Sequence, residues 1–173
     1  MTRAVLSLGS NLGDRIAHLR AVVADMADLL VAASPVYETE PWGGAEQPDF
    51  LNAVIVVDDP AADAWAWLRR GQRLEQAAHR VREEHWGPRT LDVDVVAVFD
   101  DGRDVRSDDP ELLLPHPGTP ERATVLVPWL DVDPDAVLAG RGPVRELLAA
   151  LPPDDAAAMR RRDDLPLTVG ATP

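Results

Sequence analysis

The chain contains no cysteine and no lysine. Without cysteine there is no thiol nucleophile, no thiolate zinc site and no disulfide. All 17 basic residues are arginine. A Walker-type P-loop is therefore excluded, because its lysine is missing. Lysine Schiff-base chemistry is excluded with it. Long apolar runs are also lacking. The longest, Ala21 to Ala33, is broken by Asp25 and Asp28, so no transmembrane helix is expected. No basic stretch followed by an apolar one opens the chain, which speaks against secretion and for a cytoplasmic protein. Positive charge is in short supply. The net charge is −13 and the pI about 4.5. Nucleic acid and membranes are poor partners for such a surface. An anionic nucleotide would also be repelled at long range, so binding one requires a local arginine patch and a metal.

What is present is most concentrated in the run His85-Trp86-Gly87-Pro88-Arg89-Thr90-Leu91-Asp92-Val93-Asp94. A rigid turn bearing an arginine leads straight into a strand with two carboxylates. Residues two apart on a strand point to the same face, about 7 Å apart. Asp92 and Asp94 therefore project together, while Leu91, Val93 and Val95 face the core. Paired carboxylates repel unless a cation lies between them. Hard oxygen ligands of this kind suit Mg²⁺, which takes one or two carboxylates and leaves its other positions to water and phosphate. Arg89 can neutralise phosphate oxygens through its planar fork. A solvated edge strand can carry Asp-x-Asp as well, but it needs no Trp-Gly-Pro-Arg turn before it.

The remaining pattern predicts a β-α-β-β-α-β order. Arg3 to Leu8 reads as a first strand. Gly9 to Asp14 reads as a structural turn with Asp14 as helix N-cap. Ile16, Leu19, Val22, Val23, Met26, Leu29 and Leu30 follow at helical spacing. Ser34–Thr39 and Leu51–Val57 read as strands, 61–80 as a second helix and Asp92–Phe99 as the fourth strand. Gln72, Glu75 and His79 share one stripe of that second helix. The acidic stretch 100–109 suggests a small hairpin. Helical segments follow from Pro120 to about Trp129 and from Val144 to Leu151. This order is that of a ferredoxin-like α+β sandwich, with a mainly antiparallel sheet and helices packed on it. The expected organisation is a single domain over residues 1–151 and a loose charged tail over 152–173. Two loops, 40–50 and 80–90, can meet over one end of the sheet.

These motifs together resemble the 6-hydroxymethyl-7,8-dihydropterin pyrophosphokinase family. Trp86 to Asp94 matches the family signature almost letter for letter. Gly9-Ser10-Asn11-Leu12-Gly13, Gln47 to Ala53, Pro115-His116-Pro117 and Arg122 match further stretches. The resemblance spans about residues 3 to 150. It implies transfer of pyrophosphate from ATP to the hydroxymethyl group of a reduced pterin in folate biosynthesis, with release of AMP. It implies two Mg²⁺ ions on Asp92 and Asp94, and Arg80, Arg82 and Arg89 around the phosphates, with Arg80 and Arg89 acting in catalysis. Gln72, Glu75, His116 and Arg122 are expected to hold ATP, with Val95 lending backbone groups to adenine. Phe50, Asn52, Thr39, Trp42, Trp86 and Thr124 are expected around the pterin. Thr124 stands where the family usually has a stacking Phe. A second reading is therefore a Mg-nucleotide-binding relative of the same fold with weak or lost pterin turnover. The protein is expected to act as a monomer.

Overall fold

The computed structural model describes residues 2–41, 46–79 and 90–168. The central strand is β1 (Thr2–Ser10), followed by helix α1 (Arg15–Asp25). Gly13 turns the chain between them at φ 73°. Asp14 caps the helix by accepting a hydrogen bond from the Ala17 backbone N–H at 3.2 Å. Next come β2 (Leu30–Ala33), β3 (Tyr37–Thr39), β4 (Phe50–Asp59), α2 (Ala64–His79) and β5 (Asp92–Asp100). Short strands β6 (Arg103–Asp104), β7 (Ser107–Asp109) and β8 (Leu112–Leu114) lead to α3 (Ala123–Val132). The chain continues through β9 (Val137–Leu138), β10 (Gly142–Pro143), α4 (Val144–Ala150), α5 (Pro153–Ala157) and β11 (Arg160–Arg161).

The main sheet runs β11-β3-β4-β1-β5-β6, with β2 also paired to β4. The strand pairings among the described residues are antiparallel, and β1 pairs with both β4 and β5. Stripped of the short additions, the order β5-β1-β4-β2/β3 is the ferredoxin-like arrangement that the sequence order predicts. Alternation along the strands separates two cores. Leu6, Leu8, Ala53, Ile55, Val93 and Val95 pack under α1 and α2 with the fully buried Trp67. Val5, Val54, Val56, Val96 and Ala97 pack on the other face under α3 and α4, around Trp129. A bulge at the Val5/Leu6 position of the β1–β5 pairing lets Val96 join this second core.

The structure departs from the sequence reading at three places. The first helix ends at Asp25, and after a short 3-10 turn Leu30 begins β2 rather than closing a helix. The strand expected over Ser34–Thr39 forms only at Tyr37–Thr39, separated from β2 by a break at Ser34–Val36. Pro35 has no N–H for the ladder, and at the break the Ser34 hydroxyl, rather than a strand carbonyl, accepts the Val54 N–H at 2.9 Å. Third, residues 152–168, expected as a loose charged tail, carry α5 and β11, and Leu167 is buried in the first core. Pairing of β11 with β3 is non-local and leaves no apolar periodicity to read.

Helix α3 is tied to the sheet by the Tyr37 hydroxyl, which donates to Asp131 Oδ2. Burial pushes the Tyr37 phenol up to about 12, with the Asp131 hydrogen bond and charge adding to it and Arg161 opposing. Above pH 10 the unfolded chain loses this proton while the folded chain keeps it. Stability from this group is therefore intact below pH 10 and falls as pH rises through about 12. Tyr37 is the only tyrosine of the sequence, so phenolate absorbance reads it directly. The folded protein should titrate near 12 and the denatured chain near 10; a folded midpoint near 10 would contradict the buried Tyr37–Asp131 contact.

Candidate active site at the end of the sheet

The register of β1 builds the site. Tyr37 stands opposite Asn52, Asn52 opposite Gly9, and Gly9 opposite Asp92. These four positions form one row across four strands. A Cβ on Gly9 would lie 3.5 Å from Asn52 Oδ1, so the Asn52 side chain lies on the face to which Gly9 adds no bulk. The neighbouring rows pair Thr39 with Phe50 and Ser7 with Asp94. Because Val93 and Val95 are buried in the α1/α2 core, Asp92 and Asp94 project to the opposite face, as alternation requires. At about 7 Å in an effective dielectric of about 20 their mutual repulsion is about 2 kcal/mol.

The two sides of this row differ in chemistry. On the β4 side, the Asn52 amide donates to Thr39 Oγ1 at 2.8 Å. Phe50 is half-buried, and Asn11 at the end of β1 donates to Gln47 Oε1 at 3.2 Å. Asn11 Oδ1 is buried and has no partner among the described residues. On the β5 side, the outer edge of the strand is occupied in two places. Glu75 of α2 accepts the Val93 N–H at 2.8 Å, and the His116 N–H donates to the Val96 carbonyl at 2.9 Å. Both contacts satisfy edge groups that would otherwise be orphaned. His116 Nδ1 accepts from the Gly118 N–H at 3.3 Å, and the Arg122 guanidinium packs over Gly118. His116 and Arg122 thus sit side by side, close to the Val95–Val96 backbone. Asp133, just beyond α3, adds to the raised pKa of Arg3 at the far end of β1, after the larger effect of the Asp58 hydrogen bond. Half-buried Thr124 lies in the first turn of α3.

The structure thus brings Asp92, Asp94, Asn52, Thr39 and Phe50 onto one sheet end, with Val95, His116, Arg122 and Glu75 along the β5 edge. Val95 itself is buried toward the opposite core. Gln72 is exposed on α2. Trp42, Arg80, Arg82, Trp86 and Arg89 lie outside the described residues, as does most of the expected 80–90 loop. Sequence reasoning missed Gly9 as the opening between the two sides. It also missed the tie from Glu75 to Val93. The cross-strand register, which no single segment reveals, carries both.

The model of the 7,8-dihydro-6-hydroxymethylpterin-pyrophosphokinase (HPPK) family matches residues 5–134. The chain belongs to that family. The 2-amino-4-hydroxy-6-hydroxymethyldihydropteridine pyrophosphokinase of Mycobacterium tuberculosis is 51% identical over 168 residues, covering 92% of this chain and 89% of that protein. The protein of the same name from Methylorubrum extorquens is 44% identical over 157 residues, covering 88% of this chain and 96% of its own length. A Plasmodium falciparum HPPK-DHPS crystal structure shares the fold, with a TM-score of 0.62 at 13% identity over 86% of this chain. This chain covers 45% of that longer one.

The seating of β5 depends on Gly71 of α2. A Cβ there would lie 3.1 Å from Val93 Cγ1 and 3.3 Å from Val93 Cβ. Gly71→Val should push α2 off β5 and cost about 1–3 kcal/mol. Gly71→Ala should be nearly neutral, because helix propensity offsets the smaller crowding. Urea denaturation of both variants checks this; equal stability of Gly71→Val and wild type would contradict the close α2–β5 contact.

Proposed function

We propose that this sheet end binds ATP and 6-hydroxymethyl-7,8-dihydropterin side by side and joins them, as the HPPK family does. The hydroxymethyl oxygen attacks the β-phosphorus of ATP. The bond from that phosphorus to the α,β-bridging oxygen breaks, AMP leaves with this oxygen, and the hydroxyl proton is released. The product is the pterin pyrophosphate of folate biosynthesis. The observation that carries the reading is the Asn52–Gly9–Asp92 row. It sets an amide suited to a heterocycle's polar edge two strands from a carboxylate suited to a metal–phosphate group. Adjacent strands are about 4.8 Å apart, so the span is about 10 Å. That is the scale on which a hydroxymethyl group can meet a β-phosphate.

Asp92 and Asp94 fit Mg²⁺ by the chemistry of their donor set. Two same-face carboxylates supply hard oxygens, and among the described residues no cluster of three or more His, Cys, Asp or Glu forms a closed cage. An all-protein cage is not what Mg²⁺ in phosphoryl transfer requires. When bound, one or two Mg²⁺ ions would neutralise charge on the triphosphate. Arg80, Arg82 and Arg89 supply further positive charge to the phosphates, and Arg80 and Arg89 act on the group being transferred. Arg122, His116, Gln72 and Glu75 hold the nucleotide beside the β5 edge, with Val95 backbone groups toward adenine. Phe50 stacks on the pterin, and Asn52, with Thr39 behind it, reads its polar edge. Trp42, Trp86 and Thr124 complete the pterin surroundings. Among the described residues no helix is long and apolar enough to cross a membrane. We place the enzyme in the cytoplasm, where ATP and Mg²⁺ are both at hand.

The test is AMP release from ATP, with and without pterin and with and without Mg²⁺. Release should require both. Asp94→Asn should lower it on the order of a hundredfold or more, because charge stabilisation in the transition state is lost. The folded structure should persist, since Asp94 does not belong to either apolar core. Pterin-independent AMP release, or full activity of a folded Asp94→Asn protein at saturating Mg²⁺, would reject the assignment.

A further inference from the structure

A network of arginines and carboxylates lies on the far side of β3, outside the reaction just described. Its centre is Glu38, flanked in sequence by Tyr37 and Thr39 and only 13% exposed in its side chain. Three arginines from distant parts of the chain converge on it. Arg15 Nη1 reaches Glu38 Oε2 at 2.7 Å, Arg160 Nη2 reaches Oε1 at 2.9 Å and Arg162 Nη1 reaches Oε1 at 3.1 Å. Burial alone would raise the Glu38 pKa, but the three arginines outweigh it and hold the group below its ordinary value.

Two of these arginines hold something else as well. Arg15 Nη1 also donates to the Asp49 carbonyl at 2.9 Å, and Arg160 Nη2 to Asp49 Oδ2 at 2.7 Å. Asp49 immediately precedes Phe50, and Phe50 is paired with Thr39. The network therefore grips the start of β4 from behind, at the residue where the proposed pterin-stacking side chain emerges. Arg160 is delivered by β11, which lines the outer edge of β3 with Arg160 opposite Glu38 and Arg161 opposite Tyr37. The Arg162 N–H extends the contact to the Val36 carbonyl at 2.8 Å. Arg160, Arg161 and Arg162 lie beyond the 5–134 span that the family model covers.

The Arg160 side chain is 58% exposed. An ion pair at such exposure contributes little to global stability. Its geometric effect is local: one nitrogen joins Glu38 on β3 to Asp49 at the entry of β4 and, beside the like bridge made by Arg15, braces the Thr39–Phe50 pair from outside the ladder. We propose that Arg160, carried by the C-terminal strand, is a positioning residue that sets the acceptor-binding wall for the pterin. This inference rests on the proposed pterin site and adds to it the element that holds it in place.

Calorimetry of pterin binding and of ATP-analogue binding, both with Mg²⁺, tests the proposal on the full chain. Arg160→Gln should weaken pterin binding on the order of tenfold, the weight of a lost charge-assisted contact. It should leave ATP-analogue affinity and the melting temperature close to wild type. Arg160→Lys should restore pterin binding, because a single nitrogen makes both contacts. Unchanged pterin affinity in Arg160→Gln would overturn the proposal. So would equal losses for both ligands accompanied by a lower melting temperature, the mark of a merely structural role. Wild type that binds pterin but releases no AMP would sink the activity and leave this test intact. Wild type that binds no pterin would overturn both.

Discussion

The antiparallel register of β1 sets Gly9 opposite Asn52 on one side and Asp92 on the other. The rest of the site depends on this alignment. Side chains alternate along a strand, so a slip of one residue would turn Asp92 and Asp94 into the α1/α2 core and Val93 out of it. The register is strongly specified because the two faces of β1 differ: Ala4, Leu6 and Leu8 form one buried apolar face, while the other carries exposed Arg3 and half-buried Ser7 beside Val5. Leu6 and Leu8 lock one face and Val5 the other. Packing energy thus fixes the positions of polar groups that contribute nothing to packing. Glycine at position 9 is part of the same arrangement. It leaves the middle of the row open between an amide side and a carboxylate side.

Electrostatics divides the molecule in a similar way. A chain of net charge −13 must concentrate its arginines to bind a polyanion. Among the described residues several arginines pair singly on the surface, as Arg3 does with Asp58 and Arg70 with Asp25, but two placements stand out. Arg122 stands with His116 beside the β5 edge, where it can face phosphate. Arg15, Arg160 and Arg162 are spent internally on Glu38, and two of them also on Asp49. On the proposed function Arg122 faces a ligand, while the Glu38 arginines hold a wall. A shift of the Tyr37–Asp131 tie or of the Glu38 network would move that wall without touching the carboxylate pair.

Much of this was legible in the sequence. The Asp92/Asp94 pairing follows from strand alternation alone, and the Asp14 cap from its place before a helical stripe. The βαββαβ order gave the correct strand neighbours. The split at Ser34–Pro35 was not legible, because it depends on a hydroxyl of Ser34 reaching Val54 across the sheet. The C-terminal strand was not legible either. Its Arg- and Asp-rich segment carries no apolar period, and its order comes from partners more than 100 residues away. At the site, Asn52, Thr39 and Phe50 drew their expected roles from family resemblance; chain spacing alone could not bring them level with Asp92. That needed the register of four strands at once.

The most direct measurement replaces Mg²⁺ with Mn²⁺ in the presence of a non-hydrolysable ATP analogue and records paramagnetic line broadening across the labelled protein. Broadening should be strongest at the amides of Asp92 to Asp94 and at Gly9, weaker at the Asn52 side-chain amide two strands away, and absent when Asp94 is changed to Asn. Broadening centred instead on the acidic stretch at residues 100–109, and unaffected by Asp94→Asn, would contradict the account that one row of the sheet holds both the metal–phosphate side and the acceptor side.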